Sequence, residues 1–269
     1  MERYILEAEK LEKLAGIPAI VLGNGPSRLQ YDIAKLKGHC IVFGCNRVFE
    51  DMDAFKGFPF FFGAGDDIVF KAINRRKEIL EYFPLIVPEK PHPFVDQFNL
   101  SHIKYFKHLS WKNTGHAMIQ FAIELGCSPI FIVGFGDTPK KVAEKSYLDN
   151  VYQHSSFGKG LRYSENDRHQ NHVERFAKTV LELKQKSPTL FRIGHHSNLL
   201  NGVEVIEFDS VQEYLLQKGL NLRMVFQTGL GAGGLVPVIH RVGHGSRASE
   251  SRLGAFPSIP GESGPLAPS

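Results

Sequence analysis

Four runs in this chain are wholly apolar, four or five residues long, and end alike. Ala19 to Leu22 runs into Gly23-Asn24-Gly25-Pro26-Ser27, and Cys40 to Gly44 into Cys45-Asn46-Arg47. Phe58 to Phe62 runs into Gly63-Ala64-Gly65-Asp66-Asp67, and Pro129 to Val133 into Gly134-Phe135-Gly136-Asp137. A strand with no polar alternation must be buried on both faces, which is the condition of a parallel sheet covered by helices. Helical patterns lie between the runs. The clearest is Thr114 to Leu125, with Ala117, Met118, Phe121, Ala122 and Leu125 on one face and Gly126 as its stop. The expected fold is therefore α/β: a Rossmann-like, mainly parallel sheet with helices on both faces.

Further elements follow from the same signals. Helices are expected at Glu2–Ala15, around Leu29–Leu36, at Ile68–Tyr82, at Asn171–Lys186 and at Ser210–Leu216, the last capped by Asp209 or Ser210. Leu85–Val87, Leu190–Ile193 and Val203–Phe208 read as strands, and Tyr105–Trp111 as a short apolar segment. Between about 138 and 170 the chain is polar and aperiodic. So long a loop inside an α/β domain is expected to be a lid or binding loop. The nucleotide-binding α/β domain is expected to span 1–226. Residues 227–269, rich in Gly, Ser and Pro, read as a disordered tail whose texture fits a non-native extension.

Composition narrows the function. A net charge of +4 suits an anionic small ligand and is too weak to imply nucleic acid. The three cysteines, Cys40, Cys45 and Cys127, match no zinc spacing and read as reduced thiols, giving a cytoplasmic expectation. No apolar run approaches the roughly 20 residues that span a bilayer, which leaves open a peripheral contact with the inner membrane. Homo-oligomerisation is left open too.

In a parallel sheet the four strand ends gather at one edge, where α/β ligand sites form. The free N–H groups of a helix opening at Asn113-Thr114-Gly115 would face the same crevice. Glycines and a helix N-terminus can take a phosphate, and asparagines can read a base or ribose. No Gly-x-x-x-x-Gly-Lys-Ser/Thr run occurs. Arg28 stands where a dinucleotide fingerprint needs its third glycine, which disfavours an NAD enzyme.

Taken in order, Gly23-Asn24-Gly25-Pro26-Ser27, Cys45-Asn46, Thr114-Gly115 and Gly134 resemble bacterial sialyltransferases that use CMP-sialic acid, over about residues 18–200. The chain is also similar to phage and bacterial proteins with the same Gly-Asn-Gly-Pro-Ser start and, more distantly, to archaeal pterin pyrophosphokinase-like proteins. The sialyltransferase resemblance implies a nucleotide-sugar donor, a glycan acceptor and no required metal or other cofactor. It implies nucleotide contacts at Gly23, Asn24, Gly25, Ser27, Asn46, Thr114, Gly115 and Gly134. The family's base histidine aligns with His172 in Arg168-His169-Gln170-Asn171-His172, and a leaving-group tyrosine aligns with His169.

The chemistry this implies is compact. An acceptor hydroxyl loses its proton as it attacks an anomeric carbon, a task suited to an imidazole that titrates near neutrality. The departing phosphate needs hydrogen-bond donors. Adjacent Asp66 and Asp67 admit two readings: a helix N-cap, or ligands to Mg²⁺. The second would favour a Mg-dependent pyrophosphokinase of the pterin type. A non-catalytic nucleotide-binding module is the remaining alternative. His195 and His196 read as structural or solvated, and Arg75-Arg76-Lys77 as a solvated helix face.

Overall fold

A computed structural model describes residues 14–88, 103–105, 113–135, 140–142, 145–147, 168–194, 200, 202–228 and 235–242. Its strands are β1 (Ala19–Leu22), β2 (Ile41–Cys45), β3 (Phe60–Gly63), β4 (Leu85–Val87), β5 (Ile103–Tyr105), β6 (Ile130–Val133), β7 (Lys140–Val142), β8 (Lys145–Tyr147), β9 (Leu190–Ile193), β10 (Val205–Ile206), β11 (Leu222–Thr228) and β12 (Leu235–Arg241). Its α-helices are α1 (Asp67–Asn74), α2 (Thr114–Glu124), α3 (Arg168–Lys186) and α4 (Phe208–Gln217).

Eight strands form one sheet in the order β10-β9-β6-β1-β2-β3-β4-β5. Every pairing in it is parallel. The Rossmann-like α/β expectation holds. Apolar strands this short are stable only when both faces are covered, and the register shows how that is done. Val21 pairs with Phe43 and Ile132, and Phe43 with Phe61, so these side chains share one face. There Phe121 of α2 sits edge-on to Phe43 and Phe61, with centroids 5.6 and 6.0 Å apart. Helix α3 packs beside α2. On the opposite face Phe131 meets Tyr214 of α4, and Phe62 meets Phe49. Gly63 lets α2 come this close, because a Cβ there would lie 2.6 Å from the Met118 methyl.

Several expected elements change form. The stretch around Leu29–Leu36 forms two 3₁₀ segments, Pro26–Gln30 and Ile33–Leu36, and not one helix. A further 3₁₀ segment, Asn46–Phe55, follows β2. The helix expected to reach Tyr82 stops at Asn74 and resumes as a 3₁₀ turn at Lys77–Glu81. The break falls at Arg76 (φ −132°, ψ 43°), whose guanidinium bonds Asp53 and Glu78. Helix α4 begins two residues early, after Glu207, and no side chain caps it. The strand expected over Val203–Phe208 shrinks to β10 because Phe208 enters α4. Helix α2 ends as expected, with Gly126 at φ +73° and its N–H on the Ile123 carbonyl.

No element is expected over most of β11, and its last two residues and all of β12 fall inside the tail expected at 227–269. The two pair antiparallel, Leu222 opposite Arg241. Residues 243–269 lie outside the described residues, as do 2–13 of the helix expected at Glu2–Ala15, 106–111 of the segment expected at Tyr105–Trp111, and His195-His196. Of the expected lid, only the antiparallel pair β7–β8 and the opening turn of α3 are described.

Candidate nucleotide-binding site

The chain builds β1 to β5 outward in one direction, then returns to lay β6 on the other side of β1. The strand order therefore reverses at β1, and the carboxyl edge there is the position where open α/β sheets bind ligands. The loop after β1 carries Asn24, the residue after β2 is Asn46, and the start of α2 is Thr114.

Two of these three meet directly. The Thr114 hydroxyl donates to Oδ1 of Asn46 at 2.9 Å. Thr114 is 5% exposed, so this bond is sheltered from water. Asn46 has φ +51° and is the only non-glycine at positive φ among the described residues. The left-handed conformation costs an ordinary L-residue about 1–2 kcal/mol, and asparagine tolerates it best. It turns the chain sharply at the end of β2 and presents the Asn46 amide at the sheet edge. Asn24 supplies the third feature: its Oδ1 is buried and accepts no hydrogen bond among the described residues. An acceptor withheld from both water and protein costs about 1–3 kcal/mol, a cost that a ligand donor would remove.

The glycines serve a different end from the one the sequence suggests. The Gly23 N–H bonds the Val133 carbonyl at 2.8 Å, and the Gly25 N–H bonds the Gly134 carbonyl at 2.9 Å. Both amides are committed to protein, so neither is an open phosphate donor. Gly23 and Gly134 are needed because their backbones touch: a Cβ on Gly23 would fall 2.2 Å from the Gly134 oxygen. Gly134 itself sits at φ +74°. The pair stitches the loop after β1 to the end of β6.

At α2 the N-cap is Asn113, whose Oδ1 accepts from the His116 N–H at 2.8 Å. Gly115 lies in the first turn, between Thr114 and the buried His116. Ser27, 5% exposed, and Gly134 line a small pocket at the ends of β6 and β9, together with Phe135, Arg192, Gly194 and Leu200. Neither Asn46 nor Thr114 lines this pocket. Arg192, which sequence reasoning passed over, is anchored by Nε on the Val203 carbonyl at 3.1 Å, and burial draws its pKa below the ordinary value. Its signal was a single cation inside the otherwise apolar run Leu190-Phe191-Arg192-Ile193.

Arg28, the residue that displaces the third glycine, is 5% exposed and forms an ion pair with Asp51. That pair ties the segment after Asn24 to the segment that begins at Asn46. Burial drives the Cys45 thiol far above its ordinary pKa, with Arg28 pulling weakly the other way, so it stays a neutral thiol. Asp66 occupies the N-cap position of α1, although its side chain makes no cap bond, and Asp67 is the first helical residue. Arg76 is held by Asp53 and Glu78 in an exposed network, in keeping with a solvated face. His169 and His172 fall in the first turns of α3.

No protein-family model matches the sequence, and no curated protein matches it. Solved structures do resemble it in fold. The monofunctional α-2,3-sialyltransferase Cst-I from Campylobacter jejuni is 18% identical with a TM-score of 0.49, covering 76% of this chain and 83% of its own. The sialyltransferase CstII from the same organism, in complex with the substrate analogue cytidine-5′-monophosphate, is 18% identical with a TM-score of 0.45, covering 71% of this chain and 85% of its own.

Proposed function

We propose that this chain is a glycosyltransferase-like enzyme that transfers a sugar from a nucleotide-activated donor, with CMP as the nucleotide, to a glycan hydroxyl. The observation that carries the reading is the convergence of Asn24, Asn46 and Thr114 at the carboxyl edge, with Asn46 in a left-handed conformation and Asn24 Oδ1 buried without a donor. Backbone held in a rare conformation beside an unsatisfied buried acceptor is what a preformed polar binding site looks like without its ligand. The ordered motifs Gly23-Asn24-Gly25-Pro26-Ser27, Cys45-Asn46 and Thr114-Gly115 support the choice of CMP.

In this reading the amides of Asn24 and Asn46 hold the nucleoside, and Thr114 fixes Asn46 in place. Ser27, Gly115 and Gly134 shape the walls. His172 takes the proton from the acceptor hydroxyl as the hydroxyl oxygen bonds the anomeric carbon. The bond from that carbon to the nucleotide phosphate breaks, and His169 donates a hydrogen bond to the departing phosphate. The balance closes with a glycoside, CMP and a proton on His172.

A thermal-shift panel of CMP, UDP, GDP and ATP, with and without Mg²⁺, tests the reading. CMP at about 100 times its Kd should stabilise the fold by roughly 2.7 kcal/mol, unaffected by EDTA. Stabilisation by ATP alone, and only with Mg²⁺, would instead assign the site to a phosphoryl-transfer enzyme using Asp66 and Asp67. Sugar-nucleotide turnover separates an enzyme from a binding module.

A paired substitution isolates Asn46. Asn46→Gly should lower CMP affinity about tenfold by removing the amide, while the φ +51° that glycine tolerates offsets, in the melting temperature, the loss of the Thr114 hydrogen bond. Asn46→Ala should lose the same affinity and also about 1 kcal/mol of stability. Equal CMP affinity in wild type and Asn46→Gly would take Asn46 out of the site.

A further inference from the structure

The opposite edge of the sheet has its own chemistry. Chain segments entering β2, β3 and β4 pass through Gly38, Gly57 and Phe83 at the amino edge, away from Asn24 and Asn46. The β11–β12 ribbon crosses there: the Leu222 N–H bonds the Gly38 carbonyl at 2.7 Å, and the Met224 N–H bonds the Gly57 carbonyl at 3.1 Å. Its inner face is core, with Leu222 0% and Met224 5% exposed. The alternation of the strand sends Arg223 and Val225 to the outer face, and the register puts His240 opposite Arg223 with Val242 two residues on.

Apolar surface gathers on this edge. Five large apolar side chains stand most exposed among the described residues, and three of them are here: Tyr82 at 41%, Val225 at 42% and Val242 at 48%. Cations are interleaved with them. Arg223 lies 4.2 Å and Lys37 5.6 Å from the Phe58 ring centroid, and Lys56 lies 4.9 Å from that of Tyr82. Lys56 is neutralised by Asp53 at 3.0 Å. Lys37, Arg223 and Arg241 form no ion pair among the described residues.

We propose that the amino edge, through the outer face of the β11–β12 ribbon and the Lys37–Phe58 corner, docks on an anionic bilayer surface. Unpaired cations alone would fit any polyanion. Exposed valines on a rigid ribbon, with a tyrosine at the rim, fit the interfacial zone where apolar side chains enter below a layer of negative headgroups. Docking through this edge leaves the nucleotide edge turned outward. The inference needs no particular chemistry at that edge and stands apart from the proposed activity.

Flotation of the full chain with phosphatidylcholine vesicles, alone or with about one third phosphatidylglycerol, tests it. The chain should float with the anionic vesicles at low salt, be released at high salt and ignore the neutral ones. Lys37→Gln with Arg223→Gln should weaken partition about 25-fold, about fivefold for each cation removed. Val225→Ser with Val242→Ser should also weaken it, while Lys178→Gln, an exposed change on α3, should not. Melting curves confirm that each variant is folded. Failure of the wild type to float would overturn the proposal, as would variants that float equally. RNA or polyglutamate binding that resists the valine substitutions would also overturn it, by assigning the surface to an acidic macromolecule.

Discussion

Replacing His172 with alanine should lower turnover of the sugar nucleotide by about 10²–10⁴-fold, the scale on which a positioned proton acceptor contributes. The expectation rests on where α3 begins. Helix α3 lies between two parallel neighbours, β6 and β9, and so runs against them. Its last turn is held at the amino edge, where Lys184 Nζ bonds the carbonyls of Pro188 and Leu190 at 2.6 and 2.8 Å. Its 19 residues extend about 28 Å at 1.5 Å each, against about 13 Å for a four-residue strand. The first turns, with His169 and His172, therefore reach past the carboxyl ends of the strands. CMP affinity of His172→Ala should match the wild type, which separates proton transfer from binding. Full turnover in the variant would reject the role. A lost affinity would make His172 a ligand contact instead.

The largest effect on stability is expected from Gly23→Ala. The added methyl carbon would lie 2.2 Å from the Gly134 oxygen and 2.8 Å from its carbonyl carbon. Those atoms are backbone, fixed by the Gly23–Val133 and Gly25–Gly134 hydrogen bonds, so no side-chain rotation relieves the overlap. Overpacking of this kind costs about 3 kcal/mol or more, because β1 and β6 must part at the centre of the sheet. Gly57→Ala is the comparison. It has φ +79° but nothing within 4 Å of the new methyl, so it should lose only about 1–2 kcal/mol. Urea titration of both variants measures the difference. Equal losses would show that the Gly23–Gly134 contact yields freely.

How far the sequence could be read depended on whether its local pattern had one physical solution. Ile20, Val42, Phe61 and Ile132 sit in runs without polar residues, and only a buried strand accommodates such runs. Gly126 followed a complete apolar helix face, and its left-handed turn was the natural stop. Asn46 and Thr114 were legible as polar residues at element ends, but their hydrogen bond joins positions 68 apart and has no local signature. Leu29, Ile33 and Leu36 have a spacing that both α and 3₁₀ turns satisfy. The outcome was settled by tertiary ties such as Arg28 to Asp51. Gly23 and Gly25 suggest a phosphate cradle, yet their amides face Val133 and Gly134, which a single strand cannot reveal. The β12 strand was hidden by the Gly- and Ser-rich composition around it and by Pro237 within it, a residue that ordinarily marks an edge.

The place of β1 in the sheet bears on how the chain is made. Ala19 pairs with Ile41 and with Ile130, so one neighbour is 22 residues away and the other 111. A chain emerging from the ribosome can assemble β1 to β5 while the far side of β1 stays bare. That side is apolar and has a row of unpaired amides and carbonyls, the surface on which strands from other molecules pair. Completion of the sheet awaits β6, and the wait lengthens with every residue added between them. Expression at reduced temperature, or with a holding chaperone present, is the condition under which such a nascent edge is best protected from other growing chains.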